Sequence, residues 1–435
     1  MLRIGILLAI LLISIVGTLS TATRELDQIL AEYAAKSHAV NTVIPKFQTF
    51  YVDQKIDNFD FTKSATYAQR NLYTTEFYNP KNKDAPLFVY TGGEAEVTWY
   101  WENAGHVFNM ARELGAAILF VEHRYYGESM PMGKNLTREK LRYLSMTQAM
   151  ADFAHTISYA KEAIFKNPNM KAIAFGGSYA GMLAGWMRLK YPHLIEGAVA
   201  SSAPYVFAYQ TDAEDTYTYQ YFKTVTDDYA AVNSACPSIV RAAFSQLEQL
   251  ERRADFPTIQ RKLNLCSMPT NSSDVDYIRL WVRQGLLSMA QVDYPYASGT
   301  NPALLQSLPA WPVKVACQAL LETPGDNLDK LRNAVSVFYA AFDDVKARSP
   351  AARMQSLHRS ANAETDCFDY RTQFIECGDR TGCGDGDDGL AWDYQVCTEF
   401  ADFSSSNNVT DMFPPELWDA KRHREYCLMR WYVYT

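Results

Sequence analysis

Basic charge is in short supply in this sequence. Its 435 residues hold 41 Lys and Arg against 49 Asp and Glu, a formal net charge of −8. No nucleic-acid partner is expected, because no cationic excess is available to neutralise phosphates. Charged residues make up only 21% and aromatics 13%, a balance that excludes intrinsic disorder and coiled coil. There is no internal repeat and no low-complexity tract. Past the N-terminus no run reaches the roughly 20 apolar residues of a membrane-crossing helix, so no membrane span is expected. Cys367, Cys377, Cys383 and Cys397 lack C-x-x-C spacing, which argues against zinc. Cys383-Gly384-Asp385-Gly386-Asp387-Asp388-Gly389 misses the ligands of a calcium loop and reads as a disulfide-pinned acidic loop. Neither a metal nor a cofactor is expected.

What is present begins with a secretory signal peptide over 1–22. Met1-Leu2-Arg3 precedes an apolar run from Ile4 to Val16 and a Ser20-Thr21-Ala22 exit. In the oxidising compartment that follows, eight cysteines read as disulfides. Sequons at Asn135, Asn271 and Asn408 agree with that route as glycosylation sites. The expected location is secreted or lysosomal.

Three apolar runs, Pro86–Tyr90, Ala117–Val121 and Lys171–Phe175, each end in turn residues, as strands buried on both faces do. Ala149–Ala163 is long enough for a crossover helix, and Gly197–Ala200 gives a fourth strand. After Pro204 the pattern turns helical. Leu328, Leu331, Val335, Phe338 and Phe342 recur on one helical face, as do Ile239, Ala243, Leu247 and Leu250. Residues 206–385 are read as a helical insertion over one end of a parallel sheet.

Chemistry points to Phe175-Gly176-Gly177-Ser178-Tyr179-Ala180-Gly181. A Ser on a tight turn between strand and helix has the geometry of a nucleophile elbow. The helix N-terminus favours an oxyanion there, with the Tyr179 N–H as a donor. Ala180 stands where the strict G-x-S-x-G pattern has its second Gly. A P-loop would need Lys and Ser/Thr after Gly181, and Met182-Leu183 follow instead. A tight turn whose Ser merely caps the helix is the plainer alternative. Gly92 and Gly93, in Tyr90-Thr91-Gly92-Gly93-Glu94, are read as the loop supplying the second oxyanion donor.

These motifs, with Gln54–Phe59, Tyr67–Arg70, Glu122–Ser129, Tyr191–His193, Trp392–Glu399 and Phe413–Pro415, run nearly end to end. The chain resembles the serine exopeptidase family that includes lysosomal Pro-X carboxypeptidase, dipeptidyl peptidase II and thymus-specific serine protease. Asn58 departs from the family's usual His. The resemblance implies an α/β-hydrolase with a helical cap, Ser178 as nucleophile and cleavage of small peptides next to proline. Its core would span 23–205, its cap 206–385 and its return to the core 386–435, with Glu399 lining the substrate pocket or serving as a structural carboxylate. A small peptide is the expected partner, and a homodimer is admitted.

The base is missing from this reading. In this fold the order is Ser, then Asp or Glu, then His, and only His193, His358 and His423 follow Ser178. His193 lies at the far end of the elbow helix, His358 inside the helical region, and His423 in Lys421-Arg422-His423-Arg424, read as a solvated basic face. The resemblance implies an Asp and a His beyond Tyr426-Cys427, on two further strands. The expectation is therefore a truncated gene model or splice form, with a sheet whose Gly197–Ala200 edge is exposed. The function expected is a serine exopeptidase working through an acyl-enzyme on Ser178. A catalytically inactive secreted peptide-binding homologue is the alternative from another class, and an esterase or lipase the third. Carboxypeptidase and dipeptidyl peptidase both stay open at this point.

Overall fold

Two strands built of apolar residues, with Tyr90 and Thr91 only at the end of the first, dictate the centre of the molecule. They are β3 (Leu87–Thr91) and β4 (Ala117–Val121) of a six-stranded sheet whose chain order also includes β1 (Gln48–Lys55), β2 (Thr66–Thr74), β5 (Ala172–Gly177) and β6 (Gly197–Ser201). The computed structural model describes residues 44–205, 218–299, 307–339, 367–371, 387–400 and 404–433. The expected signal peptide, His358, Cys377, Cys383 and Phe342 lie outside the described residues.

The sheet order is β1-β2-β4-β3-β5-β6. β1, β2 and β4 pair antiparallel, whereas β4, β3, β5 and β6 run parallel. Alternation along the central strands divides their side chains between two cores. Leu87, Val89, Leu119 and Val121 pack on α3 (Met146–Tyr159) and α4 (Ser178–Lys190), the helices that follow α1 (Val97–Asn103) and α2 (Gly105–Leu114) in the chain. Phe88, Ile118 and Phe120 face the other way, onto Trp101 of α1 and Phe108 of α2. A parallel sheet covered on both faces, with an antiparallel start, is the α/β-hydrolase arrangement the sequence implied.

The four parallel strands lie where the apolar runs placed them. The β1–β2 hairpin carries no such signal, since β1 is an exposed edge and β2 buries Gln69, Arg70 and Asn71. At the opposite edge, β6 is exposed along Ala198–Ser201, with Val199 at 36%.

The helical layer comprises α5 (Gln220–Val232), α6 (Ala235–Arg252), α7 (Phe256–Leu263), α8 (Ser272–Gln291), α9 (Pro312–Glu322) and α10 (Asn327–Tyr339). Ala243 and Leu247 of α6 and Leu328, Leu331, Val335 and Phe338 of α10 are buried in one cluster, as their spacing requires, and Ile239 and Leu250 pack against it. Its centre is the stacked pair Trp281–Tyr339, with centroids 4.6 Å apart. Cys236–Cys317 links α6 to α9, Cys266 pairs with Cys367, and Cys397–Cys427 links α11 (Asp387–Glu399) to α12 (Ala420–Trp431). Between α11 and α12, Met412 and Phe413 join the helical cluster, so this late stretch is shared between cap and sheet rather than returning wholly to the core.

Candidate active site

Strand β5 runs into α4 with no intervening loop, and Ser178 stands at the corner. Its φ is 53°, in the left-handed region that a side chain seldom occupies, and it is exposed while Tyr179 and Ala180 behind it are buried. The helix therefore begins at the Ser itself. Gly176 permits the turn: a Cβ there would lie 2.2 Å from the Ala180 carbonyl oxygen. The second tight approach falls one residue later than the strict pattern has it. A Cβ on Gly181 would sit 2.9 Å from Ser201 O of β6, whereas Ala180 is accommodated. This explains why Ala180 is tolerated and Gly181 is not optional.

The loop after β3 lies against the elbow. Thr91 Oγ1 is 3.1 Å from Phe175 O and 2.7 Å from Ala180 O, tying the end of β3 to both sides of the turn. A Cβ built on Gly93 would be 3.2 Å from the Ala180 Cβ. The reading of both glycines as oxyanion donors is narrowed here. The Gly92 amide already donates to Val121 O at 2.9 Å, so it is committed to the sheet. Among the described residues no acceptor takes the Gly93 amide.

Tyr179 is anchored from below. Its hydroxyl meets His123 Nε2 at 2.9 Å and receives the Gln395 side-chain amide, and Tyr126 donates to Gln395 Oε1 at 2.9 Å. His123 Nδ1 lies 2.7 Å from Arg124 O, which can only accept, so Nδ1 carries the proton and Nε2 accepts from Tyr179. Burial lowers the His123 pKa to about 3, and the ring is neutral. Arg124 in turn holds Asp152 through Nε and Nη2 at 2.7 and 2.8 Å, with Tyr67 and Asn58 also donating to that carboxylate. Asn58 thus supplies an uncharged donor to Asp152.

Three more groups singled out in the sequence have definite surroundings. Glu399 accepts from the Met146 amide at the start of α3, a contact a structural carboxylate makes at a helix N-terminus, and burial raises its pKa. His423 is 2% exposed, not solvated. Its spacing of four from Cys427 turns it inward beside the Cys397–Cys427 disulfide, while Lys421, Arg422 and Arg424 face solvent, and burial lowers its pKa. Asp387 and Asp388 hold backbone amides: Asp388 Oδ1 accepts from Gly127 N at 3.0 Å and Asp387 Oδ2 from Asn135 N at 3.3 Å. His193 is exposed near the far end of α4, as read. Among the described residues no imidazole is hydrogen-bonded to Ser178 Oγ.

His123, Gln395 and Thr91 support the elbow, and none was assigned a role from sequence. All three stand inside the motif strings, where a polar residue amid apolar neighbours was the available signal.

Residues 54–428 match the family described as serine carboxypeptidase S28. The chain belongs to that family. Lysosomal Pro-X carboxypeptidase from Pongo abelii is 35% identical over 90% of this chain and 72% of its own length. The human protein of the same name is 34% identical over the same shares. Thymus-specific serine protease from Mus musculus is 30% identical over 80% of this chain and 63% of its own. A solved peroxisomal α/β-hydrolase from Saccharomyces cerevisiae aligns with 39% of this chain and 47% of its own at 12% identity and TM-score 0.28. Serine exopeptidase activity on peptides is the chemistry of the S28 family.

Proposed function

We propose that this chain is a serine exopeptidase acting on small peptides next to proline through an acyl-enzyme on Ser178. The observation that carries the reading is Ser178 itself, exposed and left-handed on a strand-to-helix corner in a chain of the S28 family. In this reading Ser178 Oγ attacks the scissile carbonyl carbon, and the oxygen that becomes negative is met by the amides of Tyr179 and Gly93. The C–N bond breaks, the amine leaves with a proton, and water hydrolyses the ester. The preference for proline is supported by the names of the Pro-X carboxypeptidase relatives.

Secretion or lysosomal delivery is part of the same proposal. It is supported by three disulfides among the described residues, by the relatives' names, and by exposed Asn135, Asn271 and Asn408 for glycan attachment. No described helix is long and apolar enough to cross a membrane.

A fluorophosphonate probe tests the reading. Ser178 is expected to be labelled in the folded protein and Ser178→Ala to remain unlabelled. Folded wild-type protein that resists the probe would favour the non-catalytic peptide-binding alternative. Comparing proline-containing peptides with acyl esters of equal size separates peptidase from esterase.

A further inference from the structure

The loop after β3 is held at both of its ends by two consecutive residues, Val121 at the end of β4 and Glu122 just past it. Gly92 N donates to Val121 O at 2.9 Å where the loop begins, and Val97 N donates to Glu122 Oε1 at 3.0 Å where it runs into α1. Only Gly93, Glu94, Ala95 and Glu96 lie between these points. The first tie continues the sheet pairing, but the second is made by a buried side chain. Glu122 is itself fixed from two other segments. Arg70 of β2 reaches Oε1 through Nε at 3.0 Å and Nη2 at 2.5 Å, while the Glu128 amide and the Ser129 hydroxyl reach Oε2 at 3.0 and 2.7 Å. The same guanidinium extends Nη2 to Glu96 Oε2 on the loop at 3.3 Å. A buried ion pair adds little net stability over apolar residues of the same size, so stability alone does not account for this one. The loop has no slack: a Cβ on Gly93 would lie 2.6 Å from the Tyr100 oxygen and 3.2 Å from the Ala180 Cβ.

We infer that Arg70 and Glu122 are positioning residues for the oxyanion hole: Glu122, by holding the Val97 amide, sets where the Gly93 N–H points. The inference rests on the serine exopeptidase reading, in which that N–H meets the developing oxyanion. Arg70 and Glu122 act through the loop and not on the substrate. A donor stabilises the transition state only when it is held at hydrogen-bond distance from the oxygen before the charge develops. Releasing the loop at its α1 end should therefore slow attack by Ser178 and leave binding of the ground state nearly untouched.

The test removes one hydrogen bond. Val97→Pro deletes the N–H at the first position of α1, where a helix tolerates proline. Glu96, at φ −61° and ψ 145°, already has the extended backbone that a residue before proline needs. Val97→Ala trims the same buried side chain, keeps the N–H and supplies the baseline. The probe is a fluorophosphonate, whose phosphoryl oxygen takes the oxyanion position, and saturation kinetics separate its limiting labelling rate from its half-saturating concentration. Val97→Pro should lower the limiting rate roughly tenfold relative to Val97→Ala, short of the ~10²–10³ of a donor lost outright. The half-saturating concentration should not move. Equal limiting rates in the two folded variants overturn the inference, as does a difference confined to the half-saturating concentration. If Val97→Pro fails to fold, Glu122→Asp decides against wild type: it keeps a carboxylate for Arg70 but shortens the reach to Val97 by one methylene. An undiminished limiting rate there overturns the inference too. A folded wild type that takes no label sinks the exopeptidase reading and this inference with it, an outcome distinct from a labelled wild type with indifferent variants.

Discussion

The hydroxyl of Tyr179 donates to His123 Nε2 at 2.9 Å, fixing the residue after Ser178 to the end of β4. Because Gln395 feeds the same hydroxyl from α11, the position of the Tyr179 amide depends on two distant segments at once. Tyr179→Phe should leave buried His123 without its donor and Gln395 without its acceptor. The expected cost is about 1–3 kcal/mol, read in a denaturant titration. Gln395→Leu should slow acylation of Ser178 while leaving peptide affinity nearly unchanged, the signature of a positioning residue.

Adjacent glycines should respond differently. Gly176→Ala drives a Cβ against the Ala180 backbone, so a loss of about 1–3 kcal/mol and of probe labelling is expected. Gly177, at φ −118°, has only the Tyr90 hydroxyl 3.8 Å from a built Cβ. Gly177→Ala should fold with nearly wild-type stability. Equal damage from both would show that the crowding lies elsewhere.

Ser178→Gly should abolish labelling and yet stabilise the fold by about 1 kcal/mol, since glycine occupies positive φ without strain. A melting temperature at or below that of the wild type would contradict a strained corner.

Asp388 gives the molecule a pH dependence of definite sign. Burial raises its pKa from 3.8 to about 6, so the native state holds a proton that the unfolded state releases. Its contribution is full below the unfolded value and is lost as pH rises from about 4 through about 6. Asp388→Asn keeps the acceptor for Gly127 N and should remove that loss. The variant should gain about 3 kcal/mol on wild type across this window, measured by urea denaturation at several pH values.

The Cys397–Cys427 disulfide joins α11 to α12. Replacing both cysteines by Ala should cost about 2–4 kcal/mol. Because Gln395 lies on α11, the same change should also reduce labelling of Ser178. A loss of stability with labelling intact would separate the two effects.

The parts of this fold that burial makes apolar were legible in the sequence. β3, β4 and β5 read as uninterrupted apolar runs, and α6 and α10 as single-faced helices. The elbow was legible because crowding leaves little choice but glycine at positions 176 and 181. The β1–β2 hairpin was not, because β2 buries Gln69, Arg70 and Asn71 and stabilises them through hydrogen bonds that local pattern does not encode. His423 misled for a related reason. Its cationic neighbours suggested water, but a helix separates adjacent residues by about 100°, so one member of a basic run can face inward. Gly92 kept its importance and changed its role, since a glycine that allows close approach to Val121 O is indistinguishable in sequence from one that offers a donor.

Gln395 meets Tyr179 across 216 residues of chain. During synthesis the segment bearing Ser178 emerges long before α11, and through that interval the Tyr179 hydroxyl lacks the Gln395 amide. The elbow thus reaches its final support only after the chain has been extended through α11, and until then Ser178 stands on a corner that one of its braces has not yet reached.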